Sequence, residues 1–118
     1  MTTTRAIRSL SLAAIIAALT ATAALAARDD RNCYEDIGCP WKTTAPLSQL
    51  RKLSCQNLAH VRNHTYYENY YCFHTAAAKA SYGNVGCRYP ISGLVPLNKF
   101  ERANVKHIRQ VEAEKSCH

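Results

Sequence analysis

Apolar side chains recur every three or four positions along two long segments of the chain. From 55 to 69 they include Leu58, Val61 and Tyr66, and from 98 to 115 they include Ile108 and Val111. This spacing places them on one face of an α-helix. Because no segment has the alternation typical of a strand, the pattern predicts a small, mainly α domain of three to four helices.

Capping residues mark where these helices begin and end. Ser54 precedes the first long helix, and Thr75 precedes a short one that Gly83 ends. Asn98, with Glu101 three positions later, has the pattern of a capping box. The last helix is therefore predicted to begin after Asn98.

Two polar residues lie on the inward stripe of the helix predicted over 55–69. A guanidinium that leaves water must be paired, so Arg62 is predicted to bind a carboxylate or backbone carbonyls. Asn69 is the second polar residue on this stripe and stands near the predicted helix end.

The beginning of the chain has the three parts of a secretory signal peptide. Arg5 and Arg8 supply a positive start, an apolar run follows from 10 to 24, and Ala24 and Ala26 are small residues at a cleavage position. The run is short for a membrane span of about 20 residues. We predict cleavage after Ala26 and no stable membrane span afterwards.

This divides the chain into three parts. A signal peptide covers 1–26, an irregular segment with a cysteine loop covers 27–45, and a helical domain covers 46–118, beginning with a short helix over 46–53. The domain is predicted to work in the periplasm or after secretion. The net charge of +7 suits an envelope rich in anionic polymers and does not indicate a nucleic-acid partner.

All six cysteines follow the predicted leader. An even number in a short exported chain indicates a disulfide framework, which a core of this size needs for stability. Helix topology favours one pairing, and the others stay open: Cys33–Cys39 within a turn, Cys72–Cys87 across the third helix, and Cys55–Cys117 between the two long helices.

The segment 58–73 resembles the signature of the YARHG domain family. The matching positions, interpreted as structural, are Leu58, Arg62, Asn63, Tyr66, Tyr71 and Phe73. The likeness extends over about 54–117. It implies an extracytoplasmic module for which cell-wall binding has been suggested and no activity is established. Tyr70 replaces the family's Gly, and 67–69 replaces its Ala-Arg-His, so no role of that Arg-His pair is carried over. The resemblance implies a turn with a positive φ at that Gly, a conformation that Asn tolerates, so Asn69 is expected to adopt it one residue earlier.

His60, His64 and Glu68 follow one another at four-residue intervals, with His74 and His118 as further histidines. Such spacing suits a metal site or an acid–base pair. A solvated helix face explains it better, so we predict no metal, no cofactor and no catalytic residue.

Tyr67 and Tyr70 are the tyrosines that we expect to be exposed, near the basic residues Lys79 and Arg88. Exposed rings beside cations suit the sugar rings and carboxylates of peptidoglycan. The alternatives are that these rings fill the core, or that the domain binds an envelope protein, for example as a small inhibitor. The sequence thus predicts a non-catalytic binding module.

Overall fold

The computed structural model describes residue 28 and residues 31–118; the predicted leader and its cleavage after Ala26 lie outside these residues. Four helices follow in chain order: α1 at Leu47–Leu50, α2 at Cys55–Glu68, α3 at Ala76–Tyr82 and α4 at Lys99–Glu114. A 3-10 helix at Ser92–Leu94 lies between α3 and α4. The described residues contain no strand, only two isolated bridges, so the prediction of a mainly α fold is confirmed.

The predicted caps begin three of the helices. The Ser54 hydroxyl accepts the N–H of Asn57, and the Thr75 hydroxyl accepts that of Ala78. Asn98 and Glu101 form a reciprocal capping box at the start of α4. The helix α1 is shorter than the predicted 46–53, and its N-cap residue Pro46 offers no side-chain cap.

The chain folds around two apolar clusters that both lie between α2 and α4. The first contains Leu50 and Leu58 with residues of α4, and it also receives Ile37 and Ala45 from the irregular segment. The second lies nearer the end of α2 and contains Tyr66, Phe73, Val95, Leu97 and Val105. The segment predicted as irregular is therefore part of the core.

Three disulfides join Cys33 to Cys39, Cys55 to Cys117, and Cys72 to Cys87. These are the pairs that helix topology favoured. The pair between Cys55 and Cys117 connects the start of α2 to the residues after α4, across 62 positions of sequence. It holds the two long helices antiparallel and constrains much of the unfolded chain.

The prediction of a positive φ at Asn69 is wrong, because the left-handed residue is Tyr70. Asn69 has φ of −103° and Tyr70 has φ of +66°. The N–H of Tyr71 donates to Tyr66 O and that of Tyr70 to Tyr67 O, both at 3.1 Å. This is the Schellman ending, in which the left-handed residue comes after the C-cap. A tyrosine thus adopts a left-handed conformation that glycine, the residue of the family signature at this position, would adopt more easily.

Candidate functional site

The six motif residues divide between the core and one surface. Leu58, Tyr66 and Phe73 are buried, Leu58 in the first cluster and the two aromatic residues in the second. Arg62, Asn63 and Tyr71 are partly exposed. The motif therefore does more than fill the interior.

Five of the six motif residues line a single cavity, which we call the motif pocket. They are Arg62, Asn63, Tyr66, Tyr71 and Phe73, and the pocket measures about 310 Å³. The helix α2 supplies the first three, at spacings that share one face, and the segment after α2 turns back to supply the other two. The Schellman ending at Tyr70 makes that reversal possible.

The rest of the motif pocket comes from elements distant in sequence. His74 and Thr75 precede α3, Ser92 belongs to the 3-10 helix, and Arg109 lies on α4. His74 Nε2 is 2.5 Å from the carbonyl oxygen of Pro90, which fixes the ring at the pocket. Among the described residues that line this pocket there is no carboxylate, and Arg62 and Arg109 bring two guanidinium groups to its lining.

Arg62 has the kind of partner that the sequence predicted. Its Nη1 pairs with a carboxylate oxygen of Glu112 on α4, and its Nε donates to Asn63 Oδ1 at 3.4 Å. Glu112 itself lines a different cavity, beside the disulfide of Cys55 and Cys117. The ion pair thus connects α2 to α4, with its guanidinium on the lining of the motif pocket and its carboxylate outside that lining.

Sequence analysis did not identify Arg109, His74 and Ser92 as residues of a common site. Arg109 is exposed on α4, and nothing in its local pattern separates it from other solvated cations. It reaches the motif only because α2 and α4 pack together. His74 directly follows the motif residue Phe73, and that adjacency was the one available signal.

The expected exposure of Tyr67 and Tyr70 needs correction. Both side chains are half-buried, and the guanidinium carbon of Arg28 lies 4.5 Å from the centre of the Tyr67 ring and 4.6 Å from that of Tyr70. Lys79 and Arg88 are exposed and are not the cations at these rings. The chain's own N-terminal segment therefore covers the aromatic pair.

The interpretation of His60, His64 and Glu68 as a solvated face is also wrong for the acid. Glu68 is 3% exposed, and its Oε1 lies 3.2 Å from His64 Nε2 and accepts the N–H of Asn32 at 3.3 Å. The two histidine rings stack at 5.7 Å. Glu68 thus serves as an anchor for the N-terminal segment.

Tyr82 extends this ring system onto α3. Its hydroxyl lies 3.2 Å from His60 Nδ1, and its ring packs 5.6 Å from Tyr67 and 5.0 Å from Phe73. Burial raises the pKa of the Tyr82 hydroxyl. The ring system holds α3 against α2 and separates the surface at Tyr67 from the motif pocket.

No metal centre forms in the part of the chain that the structure describes, since no three His, Cys, Asp or Glu side chains converge there. His118 lines a groove with His60, whereas His74 lies in the motif pocket. None of the helices within the described residues has the length and apolar character to cross a membrane.

Fold and site together define a small disulfide-linked α-helical module with a basic pocket beside its packed helix pair. The model of the YARHG domain matches residues 39–113, more than half of the chain. The chain therefore belongs to the YARHG domain family. The match begins at Cys39, ahead of the boundary at 46 predicted from sequence. No curated protein and no solved structure matches the chain.

Proposed function

We propose that this domain is a non-catalytic binding module of the bacterial envelope or exterior, and that it binds an anionic group of the cell wall in the motif pocket. The observation that carries the proposal is the convergence of five motif residues with Arg109 on one cavity, whose described lining residues include no carboxylate. A guanidinium is the side chain best suited to carboxylates and phosphates.

The compartment is inferred from the cysteines. All six are paired, and disulfides persist in oxidising spaces such as the periplasm and the cell exterior. Peptidoglycan in these spaces carries peptide carboxylates, and its sugars offer faces that stack on rings such as Tyr71. These chemistries match the pocket better than they match Tyr67 and Tyr70, which Arg28 covers.

Retention on insoluble peptidoglycan tests the proposal. Arg109→Gln should reduce retention by about tenfold, because a charge-assisted hydrogen bond contributes roughly 1.5 kcal/mol or more. Lys79→Gln removes an exposed charge outside the pocket and should retain wild-type binding. Equal retention of both variants would contradict the proposal. If only Tyr67→Ala or Tyr70→Ala lost retention, the binding site would be the aromatic pair and not the motif pocket.

A second candidate function is the binding of an envelope protein. Ile91 and Leu94 flank the turn at Ser92 and are 60% and 62% exposed, which is unusual for apolar side chains that lie so close together. A photo-reactive side chain at position 94 should then form one discrete protein adduct in the exporting cell, and one at position 79 should form none. Retention on peptidoglycan would be unaffected by Leu94→Ser in that case.

A further inference from the structure

The guanidinium of Arg28 lies against Tyr67 and Tyr70 and is contacted from several sides. The Arg28 guanidinium carbon lies 4.5 Å and 4.6 Å from the two ring centres. Arg28 Nε donates to Tyr67 O at 3.2 Å, and Nη2 donates to Val85 O at 3.0 Å. Two rings and two carbonyl oxygens thus recognise both the charge and the fork of the group.

The main chain places this arginine as well. The N–H of Arg28 donates to Glu68 O at 3.1 Å, one of the carbonyls that a helix end leaves without an intrahelical partner. The buried Glu68 carboxylate accepts the N–H of Asn32 a few residues later. The N-terminal segment therefore approaches the end of α2 through its backbone and through one side chain.

Tyr70 has a backbone conformation that fits a role in this contact. It adopts the left-handed region with φ of +66°, although a side chain makes that conformation costly. Residues held in such conformations concentrate at active sites, ligand clamps and switch regions. The side chain at this position is the ring that lies against Arg28.

We propose that Tyr67, Tyr70 and the carbonyl oxygens of Tyr67 and Val85 form an arginine-binding site, which Arg28 fills from within the chain. An arginine in a segment of a partner protein is the ligand class that competes for it. A linked arginine acts at an effective concentration in the millimolar range, so the partner binds only when it displaces the N-terminal segment. This site is separate from the motif pocket and its test is independent.

Titration with N-acetyl-arginine amide tests the site, followed by NMR of the Tyr67 and Tyr70 rings. Arg28→Ala empties the site, and we expect saturable shifts of both rings at concentrations about tenfold lower than in the wild type, in which Arg28 competes. Arg28→Lys should also bind the arginine amide at lower concentrations than the wild type. A lysine ammonium is a point charge and reproduces neither the stacking on the rings nor the paired N–H donors of a guanidinium.

Three controls make the result specific. N-acetyl-lysine amide should bind at least about tenfold more weakly than the arginine amide. Arg88→Ala removes another exposed arginine and should behave as the wild type. Adding Tyr70→Gly to Arg28→Ala removes one of the two rings and should abolish the saturable shift of the Tyr67 ring. Identical titrations of wild type and Arg28→Ala, or equal binding of lysine and arginine amides, would overturn the proposal.

Discussion

The side-chain oxygen of Asn104 on α4 accepts the backbone N–H of Ala45 at 2.7 Å. Its Nδ2 donates to the carbonyls of Pro40 and Thr43 at 2.9 Å and 2.8 Å. Asn104 is 2% exposed, so one buried amide satisfies three backbone groups of the segment ahead of α1. That segment carries Ile37 and Ala45 into the first apolar cluster.

Asn104→Ala should therefore destabilise the domain by about 3 kcal/mol, because buried backbone groups lose their partners. The measurement is urea unfolding with the disulfides intact. Asn57→Ala is the matched control, since the Asn57 side chain is exposed on α2, and it should change stability by no more than about 0.5 kcal/mol. Equal midpoints for the two variants would contradict the role assigned to Asn104.

Asn104 also marks how far the sequence can predict this fold. The helical period places it on the same face as Ile108 and Val111, four and seven positions later, and all three are buried. Its partners Pro40 and Thr43 are 64 and 61 positions away. No local pattern contains such distances, so the sequence predicts the helix face but not the segment that it holds.

The candidate site divides in the same way. The motif spacing in α2 predicts that Arg62 and Tyr66 share a face, and Arg62 binds a carboxylate as expected. Arg109 joins them only through the packing of α4, and Arg28 covers Tyr67 through a contact across 39 positions. The exposure of a side chain depends on such long-range contacts. Local sequence does not show them, and for this reason it predicts that Tyr67 and Tyr70 are exposed.

A second left-handed residue ends α4. Ser116 has φ of +52° and is exposed, and it follows the C-cap Lys115, whose φ is −88°. Ser116→Gly should stabilise the domain by about 1 kcal/mol, because glycine adopts this conformation without the Cβ penalty. Lys115→Gly should destabilise it by about 1 kcal/mol, since glycine adds chain entropy where no left-handed residue is needed and the variant loses the hydrogen bonds from Lys115 Nζ to Arg51 O and Leu53 O.

Thermal unfolding of both variants at one scan rate measures the difference. Intact mass must confirm that Cys117, next to Ser116, is still oxidised. If Ser116→Gly lowers the midpoint, the left-handed conformation of Ser116 does not carry the strain assigned to it.

The ion pair between Arg62 and Glu112 should act as one unit. Their side chains are 21% and 15% exposed, and Glu112 Oε1 has no hydrogen-bond partner among the described residues. Arg62→Gln leaves a largely buried carboxylate without its cation and should cost about 2 kcal/mol, less than the 3–5 kcal/mol of a fully buried pair. Glu112→Gln should cost a similar amount.

A double-mutant cycle separates the pair from its surroundings. The variant with both substitutions should be more stable than the sum of the single effects predicts, by about 1 kcal/mol or more. Strict additivity would show that the two residues act independently. Because Arg62 also lines the motif pocket, retention on peptidoglycan should fall in Arg62→Gln by more than in Glu112→Gln.

The pH dependence of stability should report on Tyr34. Burial raises the pKa of its hydroxyl from 10.0 to about 12, while the side chain of Asn32 opposes the shift. A group whose pKa is higher in the folded state stabilises the fold while it is protonated, so this contribution is complete below pH 10 and is lost as the pH rises to about 12. Two pKa units correspond to roughly 2.7 kcal/mol of unfolding free energy. Since Tyr34 is only half-buried, the loss of stability should be smaller, about 1 kcal/mol.

Tyr34→Phe removes the ionising group and keeps the ring. Its free energy of unfolding, measured in urea from pH 8 to 12, should fall less steeply above pH 10 than that of the wild type. Tyr82→Phe should flatten the curve in the same direction, since burial raises that pKa too. A Tyr34→Phe curve parallel to the wild type across the alkaline range would refute the link between the burial of Tyr34 and alkaline unfolding.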